Sequence, residues 1–189
     1  MIVTLFVLLA LFILLGGIWL FLPIAFGLPW VPAQRQRIRR ALELAEVNPG
    51  ERVYDLGSGD GRVLITAAKE FGAHAVGIEI EPVHCMVSWI WNVISGVEDR
   101  VSIRWGNFYS TSFNDADVLF IYVRPKQAEK LNSLLKEQLK PGSRVISISV
   151  DVDGWEPTAY DPEGLIFLYR MPPIPGSLET YLAKSIHYS

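Results

Sequence analysis

The stretch Val53, Tyr54, Asp55, Leu56, Gly57, Ser58, Gly59, Asp60, Gly61, Arg62 decides how this chain is read. A short β-branched and aromatic run passes directly into three glycines at alternate positions, and then into the helical pattern Arg62 to Phe71. Such a strand turning sharply into a helix lies at the carboxyl edge of an open α/β sheet, where ligands bind. Glycines at 57, 59 and 61 let the backbone approach a ligand without Cβ clashes. Asp55 sets a carboxylate where a ligand ammonium group can meet it, which suits a methionine moiety. The spacing is G-x-G-x-G after an aspartate, whereas a dinucleotide fingerprint would be G-x-G-x-x-G with the helix aimed at a pyrophosphate. A tight strand-to-helix turn also has a purely structural reading.

The residues around that turn add to the pattern. Twenty positions past Gly59, Glu79 ends a second strand in Gly77, Ile78, Glu79, Ile80, Glu81, Pro82, where its carboxylate can accept from two ribose hydroxyls. Ile80 stands beside it as a further contact, and Glu81 reads as solvated or capping. Beyond the third strand, Gly106, Asn107, Phe108 offers an amide for an adenine edge and a ring for its face. The candidate cofactor residues are therefore Asp55, Gly57, Ser58, Gly59, Gly61, Glu79, Ile80, Asn107 and Phe108.

The rest of the chain alternates strand and helix. Strands are expected at 52–56, 75–80, 101–105, 117–123 and 144–150, and helices at 62–71, 82–95 and 125–139, giving parallel βαβ units. The turn Asp161, Pro162, Glu163, Gly164 predicts a closing antiparallel hairpin between 158–160 and 165–170. Ile38, Ala41, Leu42 and Ala45 share one face of a helix that stops at Asn48, Pro49, Gly50. Leu178, Tyr181 and Leu182 fit a short helix in the tail. The helix expected at 82–95 is unusual: Cys85, Met86, Val87, Trp89, Ile90, Trp91, Val93 and Ile94 leave little polar face. Its tryptophans predict a bilayer interface, an anchor helix or a second copy of the chain against it.

No charged residue occurs from Met1 to Gln34. The run from Met1 to about Leu28 is long enough for a hydrocarbon core, which needs roughly 20 apolar residues, and is read as a transmembrane helix. It lacks the basic n-region and cleavage site of a signal peptide. Arg35, Arg37, Arg39 and Arg40 follow, which predicts a single-pass membrane protein with its domain facing the cytoplasm and arginines able to meet anionic headgroups. The expected organisation is an anchor at 1–28, a basic flap and helix at 29–47, a catalytic domain at 48–174 and a tail at 175–189. Among 189 residues the formal net charge is -3, which argues against a polyanion partner such as nucleic acid. The single Cys85 and the dispersed His74, His84 and His187 show no metal-ligand spacing, so no metal is expected.

In DLGSGDGR and GIEIEP the chain resembles the class I, seven-strand S-adenosylmethionine-dependent methyltransferases over about residues 50 to 170. PWVP, GDGR, GNF, LKPGSRV and Gly154, Trp155, Glu156, Pro157 look more narrowly like an archaeal and mitochondrial group of protein-lysine methyltransferases. The resemblance implies a Rossmann-like sheet of order 3-2-1-4-5-7-6 with strand 7 antiparallel, S-adenosylmethionine as cofactor with S-adenosylhomocysteine as product, and methylation of a lysine on a protein, often one in or beside a membrane. It also implies that Pro29, Trp30, Val31 and Pro32 form a flap near the cofactor. Archaeal members carry a His-Glu pair where this chain has Ile148 and Ser149, and the Tyr122, Val123, Arg124, Pro125 segment lacks the N-P-P-Y signature of base methylation. A lipid or small amphiphilic amine is the alternative acceptor, and a non-catalytic membrane-bound scaffold the reading from another class.

Methyl transfer is an in-line displacement that asks chiefly for alignment. A lysine acceptor must be neutral, which an apolar aromatic pocket favours. Tyr109, Tyr122 and Trp155 stand near the expected mouth as candidate catalytic residues, where rings can flank a substrate chain and attract a cation. Core packing is an equal reading for each. Asp115, Asp151 and Asp153 read as solvated loop charges in preference to bases.

Overall fold

The computed structural model describes residues 2–25, 33–122 and 125–187, and the side chains at 2, 18–25, 125–128 and 186–187 are not among those described. Two compact units divide the chain, Met1–Pro32 and Ala33–Ser189. The first contains helix α1, Ile2–Ala25. Among the described residues no helix is long and apolar enough to cross a membrane. The expected transmembrane helix, and with it the single-pass placement facing the cytoplasm, is therefore corrected. The flap residues Pro29, Trp30, Val31 and Pro32 lie outside the described residues.

The second unit is an α/β sandwich around one mixed sheet. It begins with α2 (Arg35–Leu44), which buries Ile38, Ala41 and Leu42 at helical spacing. The basic residues of this helix turn to acids of the same unit. Arg39 Nε lies 2.5 Å from Glu70, and Arg40 bonds Asp161 and Glu163 at 3.0 and 2.9 Å. There follow β1 (Arg52–Leu56), α3 (Arg62–Phe71), β2 (His74–Glu79), α4 (Pro82–Ser95), β3 (Val101–Trp105), β4 (Val118–Ile121), α5 (Pro125–Gln138) and β5 (Arg144–Ile148). The chain closes with β6 (Trp155–Glu156), β7 (Ala159–Asp161), β8 (Ile166–Arg170), β9 (Ile174–Pro175) and α6 (Leu178–His187). Pro82 opens α4 at the position where its missing N–H costs nothing, and Gly96 closes it in the left-handed conformation.

The seven-stranded sheet has the order β3-β2-β1-β4-β5-β8-β7. Strands β1 to β5 are parallel, and β8 runs antiparallel to both β5 and β7. This is the sheet order that the family resemblance implies, with the antiparallel strand inserted beside β5. The two-residue strands β6 and β9 form a separate small sheet that sequence reading does not anticipate, because two residues carry no alternation. One face of the main sheet packs Val53, Val118, Phe120, Ile146 and Ile148 against α2 and α3. The other packs Tyr54, Leu56, Ile78, Leu119 and Ile121 against Leu131 and Leu135 of α5.

Candidate active site

Parallel register brings the ends of four strands to one edge. Leu56 pairs with Ile78 on one side and Ile121 on the other, and Glu79 pairs with Trp105. The segments beginning at Gly57, Ile80, Gly106 and Tyr122 therefore leave the sheet together. The chain order reverses on either side of β1, which opens the crevice where ligands of open α/β sheets bind.

The glycine turn is held from below and beside. The Gly57 N–H donates to the Ile78 carbonyl at 2.8 Å, and the Gly61 N–H to the Ser58 carbonyl at 2.9 Å. Gly57 has φ of 86° with nothing within 4 Å of where a Cβ would stand, so the turn is open above it. Gly61 has φ of 79°, and a Cβ there would sit 2.1 Å from Ser88 Oγ. Its glycine is thus demanded twice, by backbone conformation and by the close approach of α4. The Ser58 hydroxyl is buried without a hydrogen-bond partner among the described residues, 2.5 Å from where a Cβ on Gly77 would lie. The side chain fills the space between β1 and β2 and leaves only its backbone to the turn.

Glu79 is buried, and its carboxylate spans the site. Oε2 accepts from the Gly59 N–H at 2.8 Å and Oε1 from the Glu81 N–H at 2.9 Å. Each oxygen retains a lone pair, so the group that fastens the turn to β2 can still accept from vicinal hydroxyls. Asp55 is 4% exposed, and burial, with the charges of Glu79 and Asp60 added, pushes its carboxyl from 3.8 up to about 8. A buried acid so placed gains strongly from a cation, which would restore its charge. The open glycine turn, the electron-rich pair Asp55 and Glu79, and the exposed Ile80 fit an amino-acid nucleoside. Asn107 spends its Oδ1 on the Tyr109 N–H at 3.0 Å, capping the 3-10 turn Phe108–Ser110. Phe108 is half-buried, with its ring 4.5 Å from that of Tyr109.

The three aromatic candidates part company. Tyr109 and Tyr122 stay at the edge. Trp155 does not: it is 1% exposed, meets Tyr169 edge-on at 5.6 Å and donates its indole N–H to Asn132 at 3.1 Å. Its placement near a substrate chain is corrected to a core role, since α5 and β8 close over it. Asp115 lies at the opposite, amino edge. Burial works upward on its carboxyl, but hydrogen bonds from Tyr54 and Arg52 outweigh it and hold the group below its ordinary value. Asp151 accepts from the Tyr169 hydroxyl and so serves the core.

Two arginines escaped the sequence reading. Arg62 clasps Asp60 through Nε at 2.9 Å and Nη2 at 2.6 Å, and its Nη1 donates to the Ala33 carbonyl at 2.9 Å. The turn is thereby tied to the start of the unit. Arg37 donates to Gly164 O and to Ser149 Oγ, the latter at 2.7 Å, and sits 6.0 Å from the Tyr122 ring centroid. Ser149 has φ of 66°, an uncommon conformation at the end of β5. The D-G-R spacing signals the Arg62 pair, whereas nothing in the run of basic residues singles out Arg37.

The model of the ANTKMT methyltransferase domain matches residues 55–159. A protein-lysine N-methyltransferase of Saccharolobus islandicus is 40% identical over 130 residues, 68% of this chain and 81% of the relative. An adenine nucleotide translocase lysine N-methyltransferase of Mus musculus is 28% identical over 142 residues, 75% of this chain and 62% of its own length. Among solved structures, an RNA methyltransferase from Salinibacter ruber in complex with S-adenosyl-L-homocysteine is 38% identical with a TM-score of 0.74, covering 78% of this chain and 99% of that one.

Proposed function

The chain belongs to the ANTKMT methyltransferase family and uses S-adenosylmethionine, and we propose that the acceptor of the methyl group is the side-chain nitrogen of a lysine in a protein. The observation that carries the acceptor is the 40% identity to the Saccharolobus enzyme, 81% of which this chain spans. The net charge of -3 speaks against RNA, whose phosphates dominate affinity through basic contacts.

S-adenosylmethionine supplies an electrophilic methyl group on a sulfonium. Asp55 would hold the amino-acid ammonium, Glu79 the ribose hydroxyls, and Ile80 and Phe108 the faces of the base. Binding a cation beside Asp55 favours the ionised carboxylate, so a proton leaves that site on loading. Tyr122 and Tyr109 stand at the acceptor side. The acceptor amine must arrive neutral, and the guanidinium of Arg37 over Tyr122 raises the cost of a second cation there, which favours the free amine. Bound there, S-adenosylmethionine would supply its methyl group to the neutral lysine nitrogen, with sulfur as the leaving group, and the proton of the methylated ammonium would pass to water.

The test is transfer of labelled methyl from S-adenosylmethionine by the full chain to a cell extract, followed by separation of protein, RNA and lipid. Label on lysine in the protein fraction, mapped by mass spectrometry, is the expected result. Label confined to RNA or lipid overturns the acceptor and leaves the cofactor reading standing.

A further inference from the structure

Helix α4 is built inside out. Its only fully buried side chains are polar, Ser88 and Asn92, while Met86, Trp89, Ile90, Trp91, Val93 and Ile94 face outward. Trp89 is 62% exposed, and Trp105, at the end of neighbouring β3, 73%. Soluble helices do the reverse and turn their apolar stripe to the core. Cys85, Met86 and Trp89 line a groove with Val101, Ile103 and Trp105, so the helix and the strand form one continuous surface.

We propose that this α4–β3 surface is the interface of a homodimer, in which a second copy of the chain covers it about a twofold axis. These seven side chains stand 41% to 73% exposed, and so many large apolar groups together exceed the scattered apolar residues normal on a monomer's surface, as one partner's share of a standard interface requires. The groove carries one acid, Glu98, in an otherwise uncharged lining, and a largely apolar patch is complementary to itself, as a twofold contact requires. β3 also ends the sheet, with β2 as its one neighbouring strand; the Val101 N–H turns to the Val97 carbonyl at 3.0 Å, and the outward backbone groups farther along the strand present an edge with which the same strand of the second copy can pair. A lipid surface fits less well: Pro82–Ser95 holds no lysine or arginine, and Glu81, Glu98 and Asp99 border it, whereas helices that lie on membranes carry basic polar faces.

Sedimentation equilibrium of the full chain tests the interface. The wild type is expected as a concentration-dependent dimer. Trp89→Glu with Ile94→Glu, outward positions away from the cofactor residues, should weaken dimerisation by at least about 100-fold while S-adenosylhomocysteine binding is kept. Leu5→Glu with Leu9→Glu on α1 should leave the dimer intact. A monomeric wild type, a dimer that survives the α4 changes, or one lost only through the α1 changes overturns the proposal. So does a monomer that instead sediments with phosphatidylcholine vesicles through Trp89.

Discussion

Asp55 concentrates the chemistry of the site into one titration. Its carboxyl is raised from 3.8 to about 8 by burial and by Glu79 and Asp60, so its contribution to folding is full below the unfolded value and is lost as pH rises through about 8. In the ligand-free protein Asp55→Asn should therefore raise the melting temperature at pH 8 and leave it little changed near pH 4, as thermal denaturation across pH would show. The same substitution should weaken S-adenosylmethionine binding at least about 10-fold, because an amide cannot answer an ammonium charge. Calorimetry in buffers of different ionisation enthalpy should find a proton released on binding by the wild type near pH 7 and none by the variant. Trp155 supplies the contrast. Trp155→Ala should cost about 3–5 kcal/mol of stability, read by chemical denaturation, whereas Trp155→Phe should keep most of kcat. A large loss of kcat in Trp155→Phe at unchanged stability would return the ring to the active site.

At the scale of elements, α2 is held by groups remote from it in sequence. Arg144, at the start of β5, donates to the carbonyls of Ala45 and Glu46 at 2.6 and 2.9 Å and pairs with Glu51. Those carbonyls are the orphans left where a helix ends. Arg144→Met would leave the Ala45 carbonyl without this donor and Glu51 without its ion pair, at an expected cost of about 3–5 kcal/mol. Hydrogen exchange should then rise first in Arg35–Leu44, and equal exchange there in both proteins would count against this role. The periodicity of Ile38, Ala41 and Leu42 made the helix itself legible. Its C-terminal clamp was not, because the partner lies about a hundred residues away.

The whole second unit behaves as a frame for one edge. Since Asp55 and the glycine turn belong to the end of β1 and Glu79 to the end of β2, a ligand that joins them should stabilise the unit as a body. Saturation with S-adenosylhomocysteine at 100 times its dissociation constant is worth about 2.7 kcal/mol, which should raise the melting temperature by roughly 5–10 °C. Gly61→Ala should abolish most of that shift, since its Cβ would stand 2.1 Å from Ser88 Oγ at a φ of 79°. A full shift in that variant would show the turn to be more tolerant than its packing implies.

Local pattern determined the parallel strands and the helices of this protein and singled out the candidate cofactor residues, because a glycine turn after an apolar run and a carboxylate at a second strand end are written in consecutive residues. The antiparallel strand beside β5 followed from resemblance to a family. Tertiary structure alone decided what each ambiguous side chain does. Trp155 and Tyr122 both read from sequence as aromatic residues near the expected mouth, yet α5 and β8 close over the first, and the second stays at the edge. The basic run of α2 shows its charge in sequence, but only the fold sets Glu70 beside Arg39 and Asp161 and Glu163 beside Arg40. The inverted burial of α4 likewise needed the fold, for an apolar helix shows in its sequence that it must be covered but not which face the domain itself leaves bare. Periodicity is a property of neighbours along the chain; burial and charge pairing belong to neighbours in space.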